Sequence, residues 1–312
     1  MGAPNTKKLT KLTFKLGSKA KMAFTGVFEA PKHVPSQYGL LSVAKPEAGP
    51  KEDQWIRGFS QEWATQYYSA KNIDNTDTTL ITITSNATPT RYDEIKPFFI
   101  EAEDYRSTLG LLGVDPIERI KKQLEGITQH AVEKELWEGG VRIGETHANR
   151  ALVSPSADIL NSGTALSPRR ALALLEFQIG SSSPSGEQGV IHMTRDVAAL
   201  LASDAQLLIH AEGTDHLQTM GGTPVVIGSS YSGAGPTDAA GDTETPTSTN
   251  KWMYATGTVK VVLGDIDVVT DSLAQSYNVS GNQNDMRFKA IRPAAVYFDT
   301  SVHLAIRVDL TA

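Results

Sequence analysis

The sequence contains no cysteine among its 312 residues. Disulfides, thiolate metal sites, iron–sulfur clusters and cysteine nucleophiles are therefore excluded. It also lacks a run of eighteen apolar residues, and its N-terminus has no continuous apolar stretch of the kind that a secretory signal contains. From these absences we expect no membrane partner, and a stability that comes from packing and assembly.

Catalytic motifs are missing as well. No GxSxG elbow is present to place a nucleophilic serine, and the glycines near residues 221 and 233 lack the Lys-Ser/Thr of a phosphate-binding loop. His192, His210 and His216 form the one histidine group that could converge, but no HxxxH or HExxH spacing supports a metal site. The first two lie in apolar strand patterns, which favours core histidines. We therefore predict no enzymatic activity, no catalytic residue, no cofactor and no metal.

The clearest structural signal is one long helix over residues 115–140. Asp115 is a good N-cap, Pro116 suits the first helical position, and Gly139 and Gly140 end the pattern. Polar residues such as Gln129 are predicted on other faces. Apolar residues recur at steps of three and four and predict the buried stripe of the helix, namely Ile117, Ile120, Leu124, Ile127 and Ala131.

The N-terminal 28 residues form a basic arm that contains no acidic residue. Setting aside its six positive charges leaves the rest of the chain with a formal charge of −12. Leucines between the lysines fall at helical steps, so an amphipathic helix that meets an anionic surface and a solvated tail both fit the pattern. The lysines of the arm are Lys7, Lys8, Lys11, Lys15, Lys19 and Lys21.

Beyond the arm, prolines spaced through residues 31–51 predict an extended strap. Four aromatic residues then recur every four positions, a spacing that favours packing in a core or interface over a ligand platform, namely Trp55, Phe59, Trp63 and Tyr67. Strand patterns at residues 78–84 and 98–102, joined by a charged link at 91–96, predict a projecting hairpin that needs a partner surface. The acidic group Glu101, Glu103 and Asp104 is typical of a solvated strand end.

After the long helix the pattern is α/β. A second helix is predicted from Pro168 to Gly180, then a strand at 189–193, a helix from Thr194 to Leu201, and strands at 207–211 and 223–227. Residues 230–250 predict an exposed loop, because 13 of these 21 residues are Ser, Thr, Gly or Pro. Strands are then predicted at 256–263, 265–269, 286–297 and 302–310, with Pro293 marking a break or an edge.

Five short segments follow one another in an informative order. They are residues 97–102 (PFFIEA), 136–140 (LWEGG), 189–204 (GVIHMTRDVAALLASD), the turn Gly222-Thr223-Pro224-Val225-Val226, and 292–295 (RPAA). Each resembles one part of the same protein family, and the parts follow in the same order. The first two resemble the strand that leads from an extended loop into a long spine helix, and the exit from that helix. The next two resemble the strand with its following helix, and the turn, of the family's axial domain, and the last resembles a segment near its C-terminus. That family is the tailed-phage major capsid proteins of the Hong Kong 97 type.

The resemblance implies a mixed α+β fold, the Hong Kong 97-like capsid fold. On this mapping the functional positions are the stripe of the spine helix, the basic arm and the axial-domain turn at Gly222, Pro224 and Val225. The implied parts are an N-terminal arm and strap (1–50), an extended β-hairpin loop (51–97), a peripheral domain with the spine helix (98–165), an axial domain (166–264) and C-terminal strands returning to the peripheral domain (265–312).

The function that the resemblance implies is a major capsid protein, found in the virion and assembled in the host cytoplasm. It would assemble with itself into hexamers and pentamers of an icosahedral shell around double-stranded DNA, with portal, scaffolding and decoration proteins as further partners. Contact with packaged DNA would be non-specific, through the basic arm. An encapsulin-type nanocompartment shell, which holds protein cargo, shares this fold and is the alternative; a soluble α/β hydrolase is a third hypothesis that no motif supports.

Overall fold

The computed structural model describes residues 36–50, 55, 59–61, 93–107, 115–139, 149–182, 189–203, 207–210, 216–238, 241–270 and 285–311. The basic arm, the predicted strand at 78–84, Trp63 and Tyr67 lie outside these residues. The helices of the described part are α1 (Leu40–Val43), α2 (Pro116–Glu138), α3 (Pro168–Ser182) and α4 (Arg195–Ser203). A 3-10 turn spans Leu160–Gly163.

The strands of the described part are, in chain order, β1 (Glu47–Ala48), β2 (Phe59–Gln61), β3 (Asp93–Ile95), β4 (Phe98–Ser107), β5 (Asp158–Ile159), β6 (Val190–Met193), β7 (Leu208–His210), β8 (Leu217–Thr219), β9 (Pro224–Ile227), β10 (Asn250–Thr256), β11 (Val259–Leu263), β12 (Asp267–Thr270), β13 (Asp285–Phe298) and β14 (His303–Asp309). None of the described helices is long and apolar enough to cross a membrane.

The ends of α2 follow the local chemistry of the sequence. The Asp115 carboxylate accepts a hydrogen bond from the Ile117 N–H at 2.9 Å, and Pro116 occupies the first turn, where no donor is needed. At the other end Gly139 has φ +70°, a left-handed conformation that glycine adopts without strain. The predicted long helix is therefore confirmed, with both of its end signals.

The buried face of α2 differs from the predicted stripe. Ile120 and Leu124 are fully buried, but Ile117 is 39% exposed because it lies in the first turn, beyond the covering elements. Gln129, predicted on another face, is only 2% exposed. Because the strap and a loop cover α2 as well as the sheets, its buried face is wider than one stripe. Ile127 and Ala131 pack partly buried against the core, and the fully buried face continues through Thr128, Val132, Glu133, Leu136 and Trp137.

A five-stranded sheet packs on α2, with β13 at its centre. One edge of β13 pairs with β4 along ten residues, and the other edge pairs first with β12 and then with β11, which in turn pairs with β1. The strand predicted at 98–102 therefore exists, but in the described residues its partner is the C-terminal strand β13. The hairpin base is formed instead by β2, which begins at Phe59 in the stretch of spaced aromatic residues, and β3, which lies within the predicted charged link.

Pro293 lies inside β13 without interrupting it. Its carbonyl accepts from the Gly264 N–H at 2.8 Å, so the missing N–H of the proline faces the same side, toward β12 and β11. The β12 pairing stops at Ile291 and the β11 pairing starts at Ala294. The break predicted from Pro293 is thus a change of partner from β12 to β11 along one edge of β13, while β13 itself continues.

A seven-stranded sheet has the order β5-β14-β10-β6-β9-β8-β7. Its alternate residues point to opposite faces: Met253 and Ile306 pack under α3 and α4, whereas Trp252, Tyr254 and Ala305 join the core that contains α2. The helix and strand predictions between 168 and 227 are confirmed here, including the turn before β9. α2 therefore contributes to one core together with both sheets.

Sheet membership differs from the contiguous grouping expected from the sequence. β11 lies within the predicted segment 166–264 but pairs into the five-stranded sheet, and β14 lies within 265–312 but pairs into the seven-stranded sheet. Strand pairing joins segments that are distant in sequence, so contiguous boundaries do not describe it. The predicted strap also contains the short helix α1 and the strand β1, rather than extended chain alone.

The predicted exposed loop at 230–250 is exposed only in its second half. Residues 241–249 are mostly exposed, but Tyr231 and residues 233–236 are buried against the aromatic core. A Cβ on Gly235 would lie 2.4 Å from the Trp252 indole nitrogen, so the glycine permits backbone to pack directly on a ring. Among its described residues only Asn250, where β10 begins, belongs to a helix or strand, so composition indicated the irregular backbone but did not reveal the burial.

Candidate functional site

The most densely bonded polar group in the described part of the chain is the carboxylate of Glu133, in the second turn of α2 from its C-terminal end. Its side chain is fully buried. Oε1 accepts from the Leu40 N–H at 3.1 Å and from Gln129 Nε2 at 2.8 Å. Oε2 accepts from the Ser229 N–H at 2.7 Å, the Ser229 hydroxyl at 2.9 Å and the Ser230 N–H at 3.1 Å. We call this arrangement the Glu133 node.

The Glu133 node joins three segments that are far apart in sequence. It fixes the strap at α1, the long helix α2 and the loop that follows β9. A buried carboxylate is costly unless its lone pairs are occupied, and here five donors occupy them. Gly39 permits this approach, because a Cβ there would lie 1.4 Å from Gln129 Nε2. The node therefore holds the strap and the loop against α2 by satisfied polar contacts.

Sequence reasoning missed Glu133, and little in the sequence could have revealed it. A glutamate on a helix is ordinarily a solvent-facing residue. The four-residue spacing from Gln129 to Glu133 places both on one face, but that signal becomes informative only when Gln129 is known to be buried.

An aromatic cluster lies one turn further along α2. The Trp137 ring centroid lies 4.5 Å from that of Tyr231 and 5.0 Å from that of Tyr254. His192 is fully buried beside it, with Nδ1 2.9 Å from the Tyr231 hydroxyl and Nε2 3.0 Å from the Thr256 hydroxyl. Both ring nitrogens therefore have hydroxyl partners, which can donate or accept as the tautomer requires.

Burial keeps this histidine neutral. Desolvation, assisted by the nearby His303, lowers the pKa of His192 from 6.5 to about 3. Desolvation, with a smaller contribution from the Glu133 charge, raises the pKa of Tyr231 well above its usual value of 10.0. The cluster is thus uncharged at neutral pH and has the character of a polar core.

The three histidines singled out from the sequence do not converge. His192 lies in β6 and His210 in β7, with β9 and β8 between them in the sheet. His210 lies beside the strap instead, with Nε2 2.9 Å from the Tyr38 hydroxyl. The histidine that acts on His192 is His303, which sequence reasoning did not single out. No group of three His, Asp or Glu residues suited to a metal ion occurs within the described ranges.

His303 is held by the segment that follows the long helix. Its Nε2 donates to the Leu152 carbonyl at 3.0 Å, and its Nδ1 lies 3.4 Å from the Ser156 hydroxyl. Burial lowers its pKa, and the Leu152 hydrogen bond opposes that shift. His303 therefore connects β14 to the chain leaving α2.

A second polar contact fixes the base of the hairpin. Asn149 accepts from the Lys96 N–H at 2.9 Å and donates to the Lys96 carbonyl at 2.8 Å, which imitates a strand pairing. The same amide nitrogen donates to Glu135 Oε1 at 3.0 Å. The link between β3 and β4 is thereby tied to the last turns of α2.

The acidic group on β4 is engaged in ion pairs. Glu101 lies 2.9 Å from Lys289 of the neighbouring β13, and Asp104 lies 3.8 Å from Arg119 of α2. Glu103 is exposed on the same face as Glu101. The group therefore lies in the middle of β4 rather than at a solvated strand end, and Glu101 and Asp104 face basic partners on neighbouring elements.

The turn at Gly222 is a tight connection between β8 and β9. Gly222 has φ +87°, and its N–H donates to the Thr219 carbonyl at 3.0 Å. Pro224 and Val225 follow as buried residues of β9. The Thr223 hydroxyl donates to Glu176 Oε2 at 3.1 Å, so the turn is also fixed to α3.

Neither a protein-family model nor a curated protein matches the sequence. Solved structures do match: the encapsulin of the holo-SrpI complex from Synechococcus elongatus PCC 7942 has 11% identity over 93% of this chain and 94% of its own, with a TM-score of 0.52. The capsid of an empty GTA particle has 11% identity over 94% of each chain and a TM-score of 0.50. Mycobacterium phage Ogopogo has 10% identity over 93% of this chain and 96% of its own, with a TM-score of 0.50.

These likenesses establish the fold. The chain has the mixed α+β Hong Kong 97-like capsid fold over most of its length, as the five ordered segments of the sequence predicted. Of the three similar structures, one is an encapsulin, one is a capsid and one is from a mycobacterium phage.

Proposed function

We propose that this protein is the major capsid protein of a tailed phage. It self-assembles into hexamers and pentamers of an icosahedral shell that encloses double-stranded DNA, and it has no catalytic role. The supporting observation is the extent of the likeness: more than nine tenths of both chains align with the GTA capsid and with the phage Ogopogo structure.

The hairpin base gives physical support to assembly. β2 and β3 form a two-stranded ribbon of three residues each, and such a ribbon is marginal in water without a partner surface. A small cluster of Trp55, Ile95, Val262 and Ala295 supports its base, and the chain from 62 to 92 continues from it. Neighbouring subunits are the natural source of the missing support.

An encapsulin-type nanocompartment shell is the second candidate, because the Synechococcus elongatus encapsulin matches at the same level as the phage capsid structures. The prolines of the strap and the long stretch between β2 and β3 favour the phage capsid, since a shell that matures needs connections between neighbours. The two functions differ in contents, which are DNA in one case and protein cargo in the other.

We assign the parts as follows. α2 with the five-stranded sheet corresponds to the peripheral domain, the seven-stranded sheet with α3 and α4 corresponds to the axial domain, and the segment between β2 and β3 is the extended loop. Portal, scaffolding and decoration proteins are the expected further partners, and the virion is the expected location after assembly in the host cytoplasm.

Electron microscopy of the purified protein, with nucleic-acid content measured by the absorbance ratio, tests this function. We expect closed shells with fivefold and sixfold clusters, filled with DNA when isolated from infected cells. Shells with protein cargo and no nucleic acid would establish the nanocompartment function instead. If native particles of mature size contained this chain only as isolated monomers, without fivefold or sixfold clusters, both functions would be refuted.

The basic arm suits contact with the packaged genome. Phosphate contacts of lysines are non-specific and weaken steeply with salt, because each contact releases condensed counterions. Replacing the six arm lysines by glutamine should leave shell geometry intact and reduce DNA retention, and the difference should shrink at high salt. Unchanged DNA retention at every ionic strength would show that the arm is a solvated tail, and loss of shells would place it between subunits.

A further inference from the structure

The outward side of α3 and α4 combines exposed apolar residues with a basic first turn of α3. On α4 the exposed Arg195 and Asp196 offset each other in charge. The two most exposed large hydrophobic residues of the described chain are Met220 at 75% and Phe177 at 70%, and both belong to this side. Phe177 lies on α3, and Met220 lies on the turn that is fixed to α3 through Thr223 and Glu176. The first turn of α3 adds two exposed arginines, Arg169 and Arg170. We call this region the helix surface.

The opposite side of the same sheet is acidic. Its outer layer is the second half of the loop at 237–249, which carries Asp238, Asp242 and Glu244 and no basic residue. Asp238 and Asp242 are exposed. Ile159, 49% exposed, lies at the sheet edge on this side. We call this region the loop surface.

Strand register establishes that the residues of the loop surface lie on one face of the seven-stranded sheet. Arg307 contacts Glu244 at 3.3 Å and lies opposite Trp252, whose ring packs under the loop. Ile159 lies opposite Ala305, two residues before Arg307 on β14, so both side chains share that face. The residues between them in register, such as Ile306, point to the other face and pack under α3 and α4.

Two surfaces on opposite sides of one sheet layer cannot contact each other within a chain. They can do so between copies, because a head-to-tail contact joins different surfaces of successive subunits and closes into a ring when the rotation permits. Exposed large apolar residues beside charges are typical of interaction sites, and opposite charges on the two sides select the orientation.

We propose that the helix surface of one subunit docks on the loop surface of the next copy of this chain within a ring. Phe177 and Met220 are the apolar anchors, and Arg169 and Arg170 face the acidic loop. This inference rests on the proposed shell function, since the occupant is a second copy. It goes further in naming which two surfaces meet and the charges that orient them.

Charge reversal with rescue tests the contact. One variant carries Arg169→Glu and Arg170→Glu, a second carries Asp242→Lys and Thr245→Lys, and a third combines all four changes. Asp238 is left unchanged because its carboxylate accepts from the Asp242 N–H and shapes the loop. The four altered residues are exposed, so thermal unfolding of the soluble protein should stay the same in all variants.

We expect each of the first two variants to lower the fraction of protein in rings and shells, measured by native mass spectrometry and electron microscopy, by about tenfold. The combined variant should recover most of that loss at low salt. Phe177→Ser should also lower the fraction. Phe99 is a similarly exposed phenylalanine on the other sheet, and Phe99→Ser should leave rings intact.

Normal ring formation by the first two variants, or no recovery in the combined variant, would overturn the proposed contact while wild-type shells still support the function. If the wild-type protein itself forms no rings or shells, the proposed function fails, and this inference fails with it.

Discussion

The five-stranded sheet packs against α2 on one face, and its other face is only partly covered: Trp55 and Ile95 bury Val262 and Ala295 at one end. At the other end, on β4 and β12, that face leaves Phe99, Glu101 and Val269 exposed. The seven-stranded sheet is covered on both faces, by α3 and α4 on one side and by α2 with the buried half of the 230–250 loop on the other. The sequence of each strand reflects this difference. β4 alternates between buried Ile100 and exposed neighbours, whereas all four residues of β6 are buried.

The two sheets differ in which elements carry their solvent-exposed residues. In the seven-stranded sheet both sides of each central strand carry core residues, so its outer chemistry resides in the helices and the loop that cover it. In the five-stranded sheet the outer chemistry resides in the strands themselves. Substitutions on its two faces should therefore differ strongly, and substitutions inside the seven-stranded sheet should affect the fold on either face.

The largest expected effect is on the covered face of the five-stranded sheet. Leu124→Asp removes a fully buried side chain from the core that α2 shares with this sheet. The lost burial costs about 2 kcal/mol, and burying an unpaired carboxylate costs as much or more. The total is a large part of a domain's stability. We expect little soluble protein and no shells, measured by expression yield and electron microscopy.

Lys121→Asp is the matched control on α2, because Lys121 is exposed. It should cost about 0.5 kcal/mol, mainly in helix propensity, and should assemble normally. Gln129 is unsuitable for this purpose, since it is buried and bonded to Glu133. Equal assembled yields for Leu124→Asp and Lys121→Asp would contradict the packing of α2.

The next largest effect on stability is expected at the Glu133 node, on the helix α2 that packs against both sheets. Glu133→Gln replaces one acceptor oxygen of the Glu133 node with a donor that faces the N–H groups of Leu40 or of Ser229 and Ser230. Leaving such buried donors unpaired should lower the free energy of unfolding by about 3 kcal/mol. Urea unfolding measures this loss, and proteolysis in the strap should accelerate.

Glu125→Gln makes the same chemical change on the exposed side of the same helix. It should change the free energy of unfolding by less than about 0.5 kcal/mol. A similar small effect for Glu133→Gln would mean that the strap and the loop are held by apolar packing alone.

A smaller effect, dependent on pH, is expected inside the seven-stranded sheet. The pKa of His192 is about 3 in the folded protein, against 6.5 for an unperturbed histidine in the unfolded chain. Below pH 6.5 the unfolded chain binds a proton that the folded chain does not, so stability falls as the pH falls from 6.5 toward about 3. At pH 5 the loss is about 2 kcal/mol. The lowered pKa of His303 acts in the same direction.

Urea unfolding at pH 7 and pH 5 measures this dependence. His192→Gln removes the titrating group while keeping a side chain that can bond to the Tyr231 and Thr256 hydroxyls. The variant should be less stable at pH 7 but should lose less stability between the two pH values. An unchanged slope in His192→Gln would assign the pH dependence to other groups.

The smallest effect is expected on the exposed part of the other face of the five-stranded sheet, at β4. Phe99 is 61% exposed and the adjacent Ile100 is 4% exposed. In the unassembled protein Phe99→Ser should change the free energy of unfolding by about 0.5 kcal/mol or less, whereas Ile100→Ser should cost about 3 kcal/mol. Thermal unfolding of the two variants compares the faces directly, and equal effects would show that this sheet is covered on both sides.

Local chemistry in the sequence determined the long helix and its ends. Asp115, Pro116 and Gly139 act within a few residues of themselves, so their roles are readable without tertiary structure. The strand, helix and turn order from 168 to 227 was predicted for the same reason, and the five ordered segments were sufficient to identify the fold. The individual strand pairings were not readable, because pairing partners such as β4 and β13 lie far apart in the chain.

Tertiary structure alone decided what each polar residue does. Glu133 and Gln129 carry the pattern of solvent-facing helix residues, and they are buried because the strap and the loop after β9 converge on them. His192 is neutral because β14 and the 230–250 loop enclose it, which no spacing of histidines could indicate. Burial and hydrogen bonding depend on which distant segments cover a side chain, and the local sequence does not contain that information.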